Sequence, residues 1–207
     1  MDFISHYDSP LGSIMMASDG SSLIGLWFDG QKHFAESLDH EHEVCDDLPV
    51  FEVTRHWLNL YFAGIIPDFT PALFTRGTDF RQCVWKILLT IPYGHTMTYG
   101  DISHLLAREK GARTLSAQAV GGAVSHNPIS LIIPCHRVVG ANGSLTGYAG
   151  GVERKRWLLG REKSILQNMF IYVRKNRKIV ARKEKSCLYL QRKCQWYVQL
   201  RLNCWRL

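Results

Sequence analysis

The chain has 207 residues, 46% of them hydrophobic and 21% charged, the balance of a globular protein with room for one large or two small domains, each with its own core. No stretch approaches the roughly 18 uninterrupted apolar residues of a membrane span, and Met1-Asp2-Phe3-Ile4-Ser5-His6 lacks the basic and then apolar start of an export signal, so neither a membrane partner nor secretion is expected. The net charge of +7 divides into −10 over residues 1–79, +7 over 80–163 and +10 over 164–207, so only the later parts suit a polyanionic partner.

The first segment reads as a small α/β unit. Ser13 to Ala17 and Leu23 to Phe28 are apolar runs punctuated by Asp19-Gly20 and Asp29-Gly30, the pattern of antiparallel strands joined by turns. Val53, Trp57, Leu60 and Tyr61 fall at i, i+4, i+7 and i+8 and predict an amphipathic helix that Gly64 ends. No catalytic residue types gather here, and a structural domain is the expectation. Pro67 to Asp79 carries two prolines and a glycine and reads as a linker.

Beyond the linker the pattern turns helical. Phe80, Val84, Ile87 and Leu88 share a helix face, and Pro92-Tyr93-Gly94 breaks the run. Thr98 and Asp101 have capping-box spacing before a second helix. Ser116 caps a third, which must stop before Pro128. Two short helices and a brief turn suggest a helix-turn-helix. Gly121-Gly122 inside the third helix costs about 1 kcal/mol per glycine relative to alanine. That cost fits either tight packing against a neighbour or a slim helix laid against a nucleic acid.

Leu131-Ile132-Ile133-Pro134-Cys135-His136-Arg137-Val138-Val139 reads as a buried strand or extended segment. Cys-His-Arg within it makes little sense as packing, because a buried His and Arg each need partners. A thiol beside an imidazole is a candidate nucleophile. Neighbours on an extended chain point to opposite faces, so a water or a sharp turn must relay the proton between them. His136 in turn wants a carboxylate, and residues 80–163 hold four acids: Asp101, Glu109, Glu153 and Glu162. The cysteines at 45, 83, 135, 187, 194 and 204 show no CxxC pair and no Cys/His spacing of the zinc type, and thiols kept reduced inside a cell make a disulfide framework a poor reading.

Pro134-Cys135-His136-Arg137-Val138 followed by Gly147-Tyr148-Ala149-Gly150-Gly151 resembles the active-site signature of the methylated-DNA–protein-cysteine methyltransferases, the O6-alkylguanine-DNA alkyltransferases. The likeness continues through Ile91-Pro92-Tyr93-Gly94, Thr98-Tyr99, Ala119-Val120-Gly121-Gly122-Ala123, Asn127-Pro128 and Trp157-Leu158-Leu159 with Glu162, and Ser9-Pro10-Leu11-Gly12 fits the family's first domain.

The resemblance implies an α+β protein: a small N-terminal α/β, ribonuclease-H-like domain (1–79 with the linker) and a helical winged helix-turn-helix domain (80–163) carrying the reactive cysteine. It implies direct, single-turnover repair of O6-alkylguanine, and of O4-alkylthymine, in double-stranded DNA bound through the minor groove. The protein would be a monomer without cofactor, located wherever DNA is housed, the cytoplasm of a bacterial-type cell. Cys135 would accept the alkyl group, His136 would activate it through water, Glu162 would orient His136, and Asn127 would tie the recognition helix to the active-site segment. Tyr99 would help rotate the damaged nucleotide and protonate guanine. Val138, Tyr148 and Ala149 would read and wall the base, while Ser116, Ala117, Gln118, Gly121 and Gly122 would meet DNA. Arg137 would hold the site together.

Two departures stand out. Gln118 occupies the place of an intercalating arginine, and the three Cys and His positions that hold zinc in some relatives are not recognisable, so no metal is expected. Residues 164–207 match nothing in the family. They interleave Lys and Arg with Tyr172, Tyr189, Trp196, Tyr197 and Trp205, and read as a nucleic-acid-binding extension or as a frameshifted or read-through end, with the abrupt change of composition favouring the latter. Two other functions compete: a non-catalytic DNA-binding protein, against which Cys135 argues, and a cysteine hydrolase, for which the glycine-rich helix has no use.

Overall fold

The first hairpin is made by Ser9-Pro10-Leu11-Gly12. Ser9 Oγ accepts from Leu11 N and donates to Gly12 O, and Gly12 takes a φ of 103° that side chains resist. It joins β1 (Asp2–Ser9) to β2 (Gly12–Ser18), and β3 (Leu23–Phe28) and β4 (His42–Val44) complete a sheet of order β3-β2-β1-β4, antiparallel except for the β1–β4 edge. The expected strands are present. β1 went unread because its buried Asp2 and Ser5 break the apolar alternation; Asp2 is held by a two-pronged contact from Arg76 at 2.6 and 2.7 Å. The computed structural model describes residues 1–109, 111, 115–145 and 147–175.

α1 (Pro49–Ala63) ends as predicted at Gly64, whose φ of 83° lets Gly64 N and Ile65 N reach the carbonyls of Tyr61 and Leu60. Its buried face is Val50, Phe51, Thr54, Trp57, Leu58, Tyr61 and Phe62, whereas Val53 is exposed. The apolar stripe is therefore rotated from the one the spacing predicted: Val53 could have faced either way, and the broad pairs 50–51, 57–58 and 61–62 settle the orientation. The linker does not hang free. It runs along β3, with Leu23 N donating to Ala72 O and Phe74 N to Leu23 O.

α2 (Asp79–Leu89) is capped by Thr78, and α3 (Tyr99–Glu109) opens with the expected capping box, Thr98 N to Asp101 Oδ2 at 2.9 Å and Asp101 N to Thr98 Oγ1 at 3.0 Å. α4 (Ala117–Ser125) starts at Ser116, whose hydroxyl accepts from Ala119 N. Trp85 Nε1 of α2 donates to Ala123 O of α4 at 2.9 Å and fixes how the two cross. A two-stranded parallel pair, β5 (Met97–Thr98) with β6 (Val138–Val139), stitches the start of α3 to the Cys-His-Arg segment.

Met1–Lys163 form one compact unit. Its main hydrophobic core runs from Leu26 and Phe28 on β3 through Tyr61, Leu88, Ile102 and Val120 to Ile133, Cys135 and Leu158, and a smaller one, of Ile4, Met15, Ala17, Ile24 and Trp27, lies on the other face of the sheet's strands. α5 spans Val152–Lys175 and no described helix is long and apolar enough to cross a membrane. Of the basic tail, residues 164–207, the part beyond Lys175 lies outside the described residues.

Candidate active site

Pro128 cannot continue α4, so the chain leaves the helix at His126 and Asn127 and is caught by the free edge of β3: Leu26 N donates to Pro128 O and Ser130 N to Leu26 O, both at 2.8 Å. Leu131 then adopts a φ of 67°, uncommon for a bulky residue, and short-range bonds (Ile133 N to Ile129 O, Cys135 N to Ile133 O) fold the chain onto itself. Cys135–Arg137 are a 3-10 turn, and only Val138–Val139 are strand. The extended reading of 131–139 is thus corrected. The run is apolar because every residue in it is buried, not because it lies in a sheet.

Asn127 stands at the centre of this turn. Its Nδ2 lies 2.8 Å from Ile133 O and 3.0 Å from Cys135 Sγ, and its Oδ1 accepts from Ile129 N. The end of α4 and the thiol are therefore joined through one side chain. Burial pushes the Cys135 thiol up, against which the Asn127 amide and the charge of Lys155 act.

The two residues that follow the thiol belong to a buried charge cluster. His136 Nε2 is 2.8 Å from Glu162 Oε1, and Arg137 donates to both Glu162 oxygens through Nε and Nη2, with Nη1 on Ile91 O at 2.7 Å. Gly94 N and Tyr61 Oη each donate to Glu162 at 2.8 Å. With His136 and Arg137 beside it, and despite its burial, the Glu162 carboxyl is held far below the usual carboxylate range. Burial lowers the His136 pKa against the pull of Glu162, so the resting imidazole is neutral. Nε2 then carries the proton facing Glu162. Nδ1 is buried with no hydrogen-bond partner among the described residues.

Tyr99 follows Thr98 of β5 and its hydroxyl reaches 3.3 Å from Gly147 O. A side chain at Gly147 would strike that hydroxyl, and its φ of 85° already demands glycine. Tyr148 is buried over Gly150, whose missing Cβ would meet the ring at 2.6 Å. Val138 is fully buried, and Ala149 accepts from Lys32 N at 3.0 Å. On α4, Ser116, Ala117, Gln118 and Gly122 are exposed. A Cβ on Gly122 would meet nothing, and one on Gly121 only the Tyr99 ring at 3.8 Å. No protein neighbour demands these glycines, so tight packing does not explain them.

The expected site residues Cys135, His136, Arg137, Glu162 and Asn127 come together around one turn, with Tyr99, Val138, Tyr148 and Ala149 on the segments beside it. Two participants were not foreseen. Tyr61, from the segment expected to be purely structural, bonds the carboxylate, and the only sequence sign was a polar tip on an apolar helix face. Lys155 is fully buried on α5, with its pKa lowered to about 8 by burial while the Cys135 charge acts to raise it. In a run of basic residues it had no distinguishing mark.

Residues 79–164 match the family model described as 6-O-methylguanine DNA methyltransferase, DNA binding domain, and residues 3–73 its ribonuclease-like domain. The chain is 48% identical over 162 residues to a methylated-DNA–protein-cysteine methyltransferase of Mycobacterium tuberculosis, spanning 77% of this chain and 93% of the relative. It is 40% identical over 162 residues to one from Haemophilus influenzae, spanning 78% and 86%. The crystal structure of Mycobacterium tuberculosis OGT in complex with DNA superposes with a TM-score of 0.68 at 46% identity, covering 79% of this chain and 94% of that one. The chain belongs to the methylated-DNA–protein-cysteine methyltransferase family.

Proposed function

We propose that this protein repairs DNA by taking the alkyl group from O6-alkylguanine, and from O4-alkylthymine, onto Cys135, once per molecule. The observation that carries this reading is a buried Cys135 on the same 3-10 turn as a His136 locked to Glu162, tied by Asn127 to the end of a helix with an exposed glycine.

The proton of Cys135 passes through a water to His136 Nδ1, the nitrogen without a hydrogen-bond partner among the described residues, and the imidazolium that results is stabilised by Glu162. The thiolate sulfur attacks the alkyl carbon as the carbon–oxygen bond breaks. The bonding pair leaves with guanine O6, and Tyr99 supplies a proton to the base. The product is a thioether, which neither water nor a second thiol cleaves readily, so the protein is consumed. The base must leave the stack for its alkyl carbon to meet a buried sulfur. Gln118 fills the gap, Ser116, Ala117, Gly121 and Gly122 let α4 approach a minor groove about 6 Å wide, and Val138, Tyr148 and Ala149 hold the flipped base. Arg137, with its donors on Glu162 and Ile91, is a positioning residue. Residues 80–163 carry this chemistry on support from 1–79, in a monomer without an organic cofactor.

Incubation with duplex DNA bearing O6-methylguanine, followed by peptide mass spectrometry, is expected to place one methyl group on Cys135. Cys135→Ser is expected to abolish transfer while DNA affinity stays nearly intact. An adduct on Cys83 or Cys45, or repeated turnover, contradicts the proposal.

A further inference from the structure

A second group of chemistry-bearing side chains lies away from the thiol, where the loop after β3 meets the end of α4. His33 Nδ1 lies 2.6 Å from Glu36 Oε1, and His126 Nε2 lies 3.9 Å from Glu36 Oε2. The two imidazoles face each other with centroids 3.7 Å apart, and one ligand atom from each of the three residues falls within 4.8 Å of the others. We propose that His33, Glu36 and His126 bind a divalent transition-metal ion of the zinc class, clamping the 33–36 loop to the end of the recognition helix.

The donor set is two imidazoles and one carboxylate, which suits zinc and leaves a fourth position for water. A tetrahedral ion with bonds of about 2.0–2.1 Å places its ligand atoms about 3.3 Å apart. Closing the cluster requires a shift of under about 1.5 Å and a pivot of each ring. His126 is already oriented for this. Its Nδ1 lies 2.7 Å from Gly122 O, the kind of carbonyl contact that orients metal-bound histidines, and this leaves Nε2 on the side of Glu36.

The loop itself is built at a cost. His33 and Ala35 both take left-handed φ values, 59° and 55°, which alanine rarely adopts, and the strain is held in place by Gln31 Oε1 on Phe28 N and Ser130 Oγ and by Lys32 N on Ala149 O. Glu36 is held below the ordinary carboxylate range by its bond to His33, with His126 and Arg81 adding to the effect, so it is ionised at neutral pH. Arg76 and Arg81 also line this cavity, but Arg76 is engaged with Asp2. The expectation of no metal rested on the missing Cys and His positions that hold zinc in some relatives, and this site uses other residues.

An ion here would stiffen the segment from which Asn127 reaches Cys135, since His126 is its neighbour. The test uses the full chain stripped by a chelator and titrated with Zn²⁺ against a chromophoric competitor, and separately with Co²⁺. The expected result is one ion per molecule at His33, Glu36 and His126. A raised Tm and a visible cobalt band without near-ultraviolet thiolate charge transfer should accompany it. Glu36→Gln and His126→Gln should each weaken zinc binding by more than about tenfold and cancel the Tm rise. His33→Gln replaces either variant if it fails to fold. Zinc affinity unchanged in these variants, a cobalt–thiolate band from the ion they should hold, or no stoichiometric binding overturns the proposal.

Discussion

The hydroxyl of Tyr61 donates to the same Glu162 oxygen that lies 2.8 Å from His136 Nε2, so a residue of α1 shares the carboxylate that orients the imidazole. Tyr61 is buried, and burial and the Glu162 charge push its own pKa well up, so it remains a donor at every working pH. Tyr61→Phe should cost about 1–3 kcal/mol of stability. With one donor fewer on Glu162, the carboxylate pulls harder on the His136 proton. The pH at which transfer switches on should therefore move upward. A stability loss with an unmoved pH–rate profile would make Tyr61 structural only.

His136→Ala should slow transfer by about 10²-fold or more and raise the pH at which the thiol reacts, because no base remains to take its proton. Glu162→Gln should do the same and also destabilise the fold by about 3–5 kcal/mol, since Arg137 loses its charge partner in a buried site. Single-turnover rates against pH, with urea denaturation alongside, separate the two effects. Unchanged pH profiles in both variants would remove these residues from activation.

Lys155 is the buried cation whose charge acts on Cys135, and its pKa of about 8 means that it carries a proton at neutral pH and loses it just above. Lys155→Met should therefore raise the thiol pKa and slow transfer most between pH 6 and 8. The wild-type rate should stop gaining from thiol ionisation above about pH 8, where that charge disappears. Equal slowing at all pH values would point to packing instead.

Acid should destabilise the protein in two stages. The folded pKa of His136 is lowered by burial, so below the unfolded value of about 6.5 only the unfolded chain takes this proton, and stability falls as pH falls. Glu162 is also depressed in the fold, so its contribution, complete above about pH 4.3, is lost as the pH drops further. The first stage has a slope approaching about 1.4 kcal/mol per pH unit for one proton. Denaturation midpoints of His136→Gln should lack it, and a variant with the wild-type slope would disprove the assignment.

Gln118 is exposed on the first turn of α4. Its amide offers a donor and an acceptor to the cytosine orphaned by base flipping, a step costing a few kcal/mol. Gln118→Ala should slow transfer from duplex DNA while barely changing the reaction with free O6-benzylguanine, which needs no flip. Gln118→Arg should be tolerated and bind DNA at least as tightly, given its longer planar head. Equal slowing with both substrates would assign Gln118 to the pocket.

What the sequence by itself determined was local. Asp19-Gly20, Gly64, the Thr98–Asp101 box and Ser116 each act within four residues, and the structure has a turn, a C-cap, a capping box and an N-cap at those positions. Cys135, His136 and Arg137 were legible for a related reason: polar side chains in an apolar run must have partners. Which partners they have was decided by tertiary structure. Glu162 was reached only as one of four acids and through the family resemblance, while Tyr61 and Gly94 join it from α1 and the break after α2, by bonds that leave no periodicity in the chain. The turn at Leu131–Arg137 was misread because burial, not strand geometry, made those residues apolar. His33, Glu36 and His126 are brought together only because the edge of β3 captures the chain as it leaves α4, a contact between segments that are far apart in sequence.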